Sequence, residues 1–575
     1  MADSGASSFP AETYNAKGLQ MRARVLLLSV LLSAVTSQAA ASGTLRQQAA
    51  QAQQAYQAGN YAGSADLYGE IERTLADTSG AFEQELLYGG ASAAAMAGRP
   101  DLAFDFLRRA VAAGLMQADR IRHDSSLASL QADPRMATLL ADIARQKALD
   151  DRKWNSPGFA VPYSDALSED QRVAGLSRLW SEAKMSFANF DLVADLDWDA
   201  LYLETLPKVR AAPDTYSYYR VLQGFISRLE DGHSKLVLRS GAVRDRFEAR
   251  SGLSTRYLEG RVFVHDVFDP ALRAAGIKNG WELLSIDGES VSSYAEREIR
   301  PYTSASTEQD LHSQVYERNL LQGPLDSALS IGFGDARGKQ HVVKVMRMPS
   351  KDYRLARKEA PPFEWKLLPG NVALVTLRSF SDNAAADQFE AAFGQISQAD
   401  AIIFDLRNNG GGNSNVGYRI LSMITDRPFQ TSAWRTPDYR AVLRAWSISN
   451  RDFNAGAGEW PNDGKRYYSK PVLVLTSART YSAAEDFVVA FDAMNRGRLV
   501  GEPTGGSTGS PMMFDLPGGM VAFICSKRDT YPDGKEFVGV GVTPQVKLSP
   551  TIADHRAGRD TVLEAAVKLA RSPAQ

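Results

Sequence analysis

Between residues 365 and 550, short apolar runs alternate with segments of helical period, and this alternation limits the fold more than any other feature. Val372 to Leu377 and Ala401 to Leu406 are apolar and rich in β-branched residues. Val472 to Leu475 is a third such run, bounded by Pro471 and Thr476. Ala385–Ile396 and Ala483–Met494 carry helical spacing between or after them. Strands alternating with helices predict an α/β core around a buried sheet. Sites in such cores form just outside the strand ends, so the loops leaving these runs are where chemistry is expected.

Two loops stand out. Asp405-Leu406-Arg407-Asn408-Asn409-Gly410-Gly411-Gly412 directly follows a strand. Three glycines bring backbone amides close to a reacting atom with no Cβ in the way, and such an amide can donate to a developing oxyanion. The loop lacks the Lys-Ser/Thr ending of a phosphate-binding P-loop. The second loop, Thr476-Ser477-Ala478-Arg479-Thr480-Tyr481-Ser482-Ala483-Ala484-Glu485, runs from a strand into a helix. It puts the Ser482 hydroxyl at a helix N-terminus, where free amides and the helix dipole favour negative charge. Taken alone, this decapeptide reads more readily as a capping box, with Glu485 three residues after Ser482.

The remainder of the 575 residues exceeds what one core supports, and three or four domains are expected. Residues 45–150 are Ala-rich and helical in period. Ala58-Gly59-Asn60-Tyr61-Ala62 and, about forty residues on, Ala97-Gly98-Arg99-Pro100 each lead into a helix. This pattern is similar to tetratricopeptide repeats and also fits a generic helical bundle. As a repeat it would offer a docking surface for a protein partner, or a lid. Lys147 to Pro162 reads as a linker. Residues 163–240 are helical, with Trp198, Leu201, Tyr202 and Leu206 on one face, and Tyr219, Leu222, Ile226 and Leu229 on another. Residues 250–348 change to short strands, and Ala274 to Glu289, with its Gly280 turn and Asp287-Gly288 ending, resembles a PDZ domain. The resemblance implies either a peptide-binding sheet edge or an occluded domain that only gates.

An address precedes all this. Met21-Arg22-Ala23-Arg24, the apolar stretch Val25 to Val35, and the small residues Ser37-Gln38-Ala39-Ala40-Ala41 form the three parts of a secretory signal. The apolar stretch is too short for a stable membrane span. Residues 1–20 fit poorly before it, so Met21 is the expected start and 21–41 the signal. The mature chain would begin near Ser42 and be exported, to the periplasm or medium of a bacterial cell. A net charge of −2 gives no reason to expect nucleic acid. One cysteine, Cys525, allows no intrachain disulfide and no Cys-rich metal site, and its strand-like neighbours predict a buried, inert thiol.

The order of motifs, from the Asp-Leu-Arg-Asn-Asn-Gly-Gly-Gly loop through Thr-x-Ser-Ala-Ala-Glu and Gly501-Glu502-Pro503-Thr504-Gly505-Gly506 to Gly539-Val540-Gly541-Val542-Thr543-Pro544, resembles the tail-specific protease superfamily. That superfamily includes C-terminal processing peptidases and tricorn core proteases. The resemblance spans about residues 165–570. It implies a multidomain α+β chain: a helical segment, a PDZ-like β domain and an α/β, crotonase-like peptidase core over 362–572. It also implies a serine peptidase acting on polypeptide substrates, with no cofactor and no metal.

By the same resemblance Ser482 is the nucleophile, and the amides of Gly411 (or Gly410) and Ala483 form the oxyanion hole. Many members use a lysine about 25 residues after the serine. Ser507 stands there in this chain, which disfavours a Ser–Lys dyad. The tricorn-like alternative is a histidine before the PDZ-like region, and Leu229-Glu230-Asp231-Gly232-His233-Ser234 supplies His233 as base. For the acid that orients it, Glu485 and Glu536 are the candidates, with Ser234 as a possible hydrogen-bond partner. Gln545 replaces the usual Asp after Thr543-Pro544 and reads as a local change. Two other readings stay open: a non-catalytic relative that binds peptides or hydrophobic ligands, and a scaffold built on the repeat and PDZ-like regions.

Overall fold

The computed structural model describes residues 48–49, 51–74, 81–358 and 360–571. The expected start and signal, residues 1–41, lie outside them. The chain divides into two compact units, Met1–Ser156 and Pro157–Gln575.

The first unit is helical. Helices Tyr61–Thr74, Ala81–Met96 and Pro100–Ala112 precede the shorter Ala118–His123 and the long Pro134–Trp154. Small residues let these helices approach closely. A Cβ on Gly89 would sit 2.8 Å from the Tyr68 ring, and one on Gly90 would sit 3.0 Å from Phe106. Ala91, Ala93 and Ala94 are fully buried beside them. The expected linker begins later than the composition suggests. Lys147–Trp154 continues the Pro134–Trp154 helix, because no breaker occurs before Asn155 and Pro157. Asp133 starts that helix by accepting from the Arg135 amide.

The second unit is built around a six-stranded sheet. From one edge to the other its strands are Val546–Lys547, Arg498–Gly501, Val472–Thr476, Ala401–Asp405, Val372–Leu377 and Phe363–Leu368. All neighbours are parallel except the last pair. Alternate residues serve opposite faces. Ala373, Val375 and Leu377 join a core with Phe389, Phe404 and Phe487 from one side. Val372 and Leu374 join Val562, Ala566 and Ala570 of the C-terminal helix Thr561–Ala570 on the other. Both faces are covered, which is why the strands read as continuous apolar runs.

Residues Arg250–Met348 form a separate seven-stranded antiparallel sheet. A third core unites distant parts of the sequence. Helices Glu169–Ser186, Trp198–Ala211 and Thr215–Ile226 pack on the hairpin Met512–Leu516/Met520–Ile524. The strand Lys235–Leu238 pairs antiparallel with that hairpin, Lys235 opposite Phe523 and Leu238 opposite Met520. The helical segment is thereby tied to the C-terminal half of the chain. Cys525 lies in this core, fully buried and with its thiol pushed up by burial.

Candidate active site

The two loops read from the sequence meet at the ends of adjacent strands. Ala401–Asp405 and Val472–Thr476 are parallel neighbours, with Asp405 opposite Leu475. Side chains then join the loops: Ser477 Oγ donates to the Arg407 carbonyl at 2.6 Å, and Thr480 Oγ1 donates to the Leu406 carbonyl at 2.9 Å. The Tyr481 amide donates to the Asn409 carbonyl at 3.0 Å. Arg407 anchors the glycine loop from behind through ion pairs with Asp405 at 2.6 Å and Asp560 at 2.7 Å.

Ser482 occupies the turn before helix Ala483–Ala493 with φ 57° and ψ −127°. A positive φ is costly for a side chain other than glycine and recurs at functional turns. The neighbouring loop has to yield space for it. A Cβ on Gly411, whose φ is 93°, would lie 2.7 Å from Ser482 Cβ and 2.9 Å from the Ala483 nitrogen. Glycine at 411 is therefore a steric requirement of this turn.

The Ser482 hydroxyl faces a histidine. Its Oγ lies 3.1 Å from His233 Nε2. Both residues are partly exposed, so a ligand can reach them. His233 is delivered by the Asp231–Ser234 turn immediately before the Lys235–Leu238 strand. Buried Asp231 ties that turn: its Oδ1 accepts from the His233 amide at 3.0 Å, and from the Ser234 amide and hydroxyl at 2.8 and 2.9 Å. Its Oδ2 accepts from Asn189 Nδ2 at 3.0 Å. Desolvation, with Lys235 and Lys527 nearby, pushes the His233 imidazole down to about 3 from its usual 6.5. The resting ring is neutral and can accept a proton.

The other ring nitrogen, Nδ1, lies 2.8 Å from Ser507 Oγ. Ser507, which stands where the resemblance would place a lysine, thus touches the imidazole directly. Tyr481 lies against the ring, with centroids 5.3 Å apart and planes within 18°.

Neither expected acid contacts the imidazole. Glu485 is fully buried and receives four donors: the Ser482 amide at 3.1 Å, the Thr504 hydroxyl at 2.6 Å, and the Gly506 and Ser507 amides at 2.7 and 3.0 Å. Burial pushes its carboxyl up to about 8 against these donors. It organises the 504–507 loop and so places Ser507. Glu536 is exposed and accepts from Arg528 Nε at 3.0 Å. Arg528 also pairs with Asp191, and this cluster does not bring Glu536 to the histidine. Ser234 is committed to Asp231 and to the Cys525 amide, which donates to its Oγ at 3.0 Å.

The oxyanion candidates differ from one another. The Gly411 amide donates to Asn409 Oδ1 at 2.9 Å. Among the described residues, the amides of Gly410 and Ala483 make no such bond. Gln545 fills a structural role, accepting from the Leu499 amide at 2.7 Å and donating to Asp492 at 2.6 Å.

Sequence reading missed Tyr481 and Asp310 at this site. Tyr481 lies inside the serine motif but looked like a spacer. Asp310 is 1% exposed, and its Oδ2 accepts from Tyr481 Oη at 3.1 Å. Two glycines mark the pocket that the tyrosine fills. A Cβ on Gly232 would fall 1.6 Å from the Tyr481 oxygen, and one on Gly505 would fall 2.3 Å from its ring.

Residues 371–548 match the family model described as peptidase family S41. The chloroplastic C-terminal processing peptidase of Tetradesmus obliquus is 28% identical over 247 residues, 41% of this chain and 49% of that protein. The carboxyl-terminal-processing protease of Synechocystis sp. is 29% identical over 207 residues, 35% of this chain and 44% of that protein. The chain spans about half the length of the curated relatives it matches. The structure of mature CPAF complexed with lactacystin aligns with a TM-score of 0.57 at 17% identity, over 70% of this chain and 98% of that one, a likeness of fold.

Proposed function

We propose that this chain, which carries a peptidase family S41 domain over residues 371–548, is a serine endopeptidase that works through a Ser482–His233 pair. The observation that carries this reading is the 3.1 Å approach of His233 Nε2 to Ser482 Oγ, on a turn whose φ is 57°.

Ser482 Oγ attacks the carbonyl carbon of a peptide bond, and its proton passes to His233 Nε2. The imidazolium then returns that proton to the leaving amine. This leaves an ester between the acyl part of the substrate and Ser482. Water, deprotonated by the same nitrogen, hydrolyses the ester and restores the serine. The amides of Ala483 and Gly410, which are unengaged, would hold the oxyanion. The Gly411 amide could join them after leaving Asn409. Glu485 acts indirectly, by holding the loop that carries Ser507.

The relatives are named for processing carboxyl termini, which supports extended C-terminal segments or unfolded polypeptides as substrates here. We read residues 250–348 as a PDZ-like domain that presents such segments. The helical region 45–150 is read as tetratricopeptide-like and as the place for a protein partner. The N-terminal address supports export to the periplasm or medium. Among the described residues, no helix is long and apolar enough to cross a membrane.

The test is hydrolysis of an unfolded protein and of peptides with free or amidated carboxyl termini, by the wild type and by Ser482→Ala. Cleavage by the wild type alone is the expected result. Equal cleavage by both, or by neither, rejects the reading.

A further inference from the structure

We propose that the tip formed by residues 439–451 is a docking surface for an anionic lipid bilayer. Val442, Trp446 and Ile448 enter the headgroup layer, and Arg444 and Arg451 meet lipid phosphates. None of these residues belongs to the Ser482–His233 site, and the inference does not depend on the peptidase reading.

The tip is built around a helix that covers nothing. Strand Ala433–Asp438 pairs antiparallel with Arg451–Ala455, from Trp434 opposite Ala455 to Asp438 opposite Arg451. Between them the chain forms the helix Ala441–Ala445, and none of its residues is buried. A helix on a protein surface normally hides one face against the core. This one is held by its own backbone instead. The Trp446 amide donates to the Val442 carbonyl at 3.1 Å, and the Ile448 amide donates to the Leu443 carbonyl at 2.8 Å. The Arg440 amide donates to Asn450 Oδ1 at 2.7 Å and closes the tip. Its base is firm: Ala433–Asp438 also pairs with Arg528–Thr530, and Trp434 packs on Phe453 with ring centroids 5.7 Å apart.

What the tip presents is apolar. From Tyr439 to Asn450 every residue but the half-buried Leu443 is exposed, so the tip projects from the body. Tyr439 is 42% exposed, Val442 47%, Trp446 66% and Ile448 49%. Single exposed apolar side chains are ordinary on a protein surface, whereas a cluster of them marks an interaction site. Val442 and Trp446 stand one turn apart and share a side of the helix. Arg440 and Arg444 share the opposite side.

Charge selects the occupant. Residues 439–451 contain three arginines and no acid, in a chain whose net charge is −2. The flanking acids are committed: Asp438 pairs with Arg440 at 2.8 Å, and Asp452 pairs with Arg435 at 2.6 Å. Arg444 also acts on Asp199, whose carboxylate already accepts from Lys184 at 2.7 Å. The tip is therefore positive. A tryptophan beside aliphatic side chains, with arginines on the opposite side, is a composition that settles at a membrane interface. The apolar side chains leave water for the acyl boundary, and the guanidinium groups reach back to the phosphates. A second copy fits less well, because a symmetric contact would set these arginines against themselves. An acidic protein surface would answer the charge and leave the apolar side chains uncovered.

Two measurements test this on the full chain. The first is co-sedimentation with vesicles of phosphatidylcholine alone or mixed with phosphatidylglycerol. The wild type should bind the mixed vesicles and lose affinity as salt rises. Combined Val442→Ser, Trp446→Ser and Ile448→Ser should weaken binding at least about tenfold. Combined Arg444→Gln and Arg451→Gln should weaken it at least about fivefold on the mixed vesicles. Both variants should keep the wild-type thermal melt, because the altered side chains are exposed. Equal binding by the wild type and either variant, or equal binding to the two lipid compositions, overturns the proposal. So does a wild-type dimer that the apolar variant abolishes while lipid binding stays unchanged.

The second measurement locates the contact, since the apolar residues 25–35 belong to the same chain. Brominated lipid quenches the fluorescence of a tryptophan that touches it. Quenching in the wild type should largely disappear in Trp446→Phe, which keeps an apolar ring and should still sediment with the mixed vesicles. Undiminished quenching in vesicle-bound Trp446→Phe places the contact elsewhere and refutes the inference.

Discussion

His233 Nε2 stands 3.1 Å from Ser482 Oγ although 249 residues separate them in the chain. The antiparallel pairing of Lys235–Leu238 with Met520–Ile524 brings them together, and the Asp231 turn aims the ring. Asp231 is 2% exposed and satisfies four donors. Asp231→Ala should leave these unpaired and lower the unfolding free energy by about 3 kcal/mol or more. Urea unfolding of the wild type and the variant checks this.

Ser507 gives a more selective perturbation. Ser507→Ala removes the oxygen on His233 Nδ1 and leaves the backbone bonds of the 504–507 loop to Glu485 intact. Hydrolysis should slow about tenfold or more, while stability falls by only about 1 kcal/mol. Steady-state kinetics beside a thermal melt separates the two effects.

The depressed imidazole sets a pH dependence of stability. In the fold His233 stays neutral down to about pH 3, whereas the unfolded chain takes up that proton near its ordinary 6.5. Below 6.5 the unfolded state binds more protons than the native state, so the His233 contribution is fully present above 6.5 and is lost as pH falls toward 3. His265, pushed down to about 4 mainly by burial, adds in the same direction. His233→Gln should therefore gain relative to the wild type as pH drops from 7 to 5. Denaturant midpoints at both values measure this, and a constant difference would contradict it.

Gly411 tests the fit of the two loops. A methyl group there would meet Ser482 Cβ and the Tyr481 carbonyl, each at 2.7 Å, on a backbone with φ of 93°. Gly411→Ala should cost about 1–3 kcal/mol through overpacking and displace Ser482 from His233. Loss of both hydrolysis and thermal stability is expected. A folded variant with wild-type turnover would mean that the loops adjust more freely than this packing allows.

Much of this site was legible in the sequence because its parts lie in local motifs. The glycine loop and the Ser482 turn sit at strand ends, where apolar runs stop abruptly. His233 follows a helix and precedes a strand. The Asp310–Tyr481 contact was not legible. Asp310 stands 171 residues from its partner Tyr481, and locally it reads as the third residue of an ordinary helix start, with the Thr307 hydroxyl accepting from its amide. Glu485 looked like either a cap or the acid because its spacing fits both. Only the neighbouring 504–507 loop reveals that its carboxylate organises backbone. Glu536 was selected by position along the chain, and its side chain turns to Arg528 instead. The glycines at 232 and 505 were the one available hint, since each marks where a bulky ring approaches the backbone.

The most direct measurement is covalent labelling with a serine-reactive phosphonate, mapped by peptide mass spectrometry. The account predicts one modified residue, Ser482, with labelling abolished in Ser482→Ala and slowed about a hundredfold or more in His233→Ala. Absence of labelling in the folded wild type, equal labelling of Ser482→Ala, or an undiminished rate in His233→Ala would contradict it.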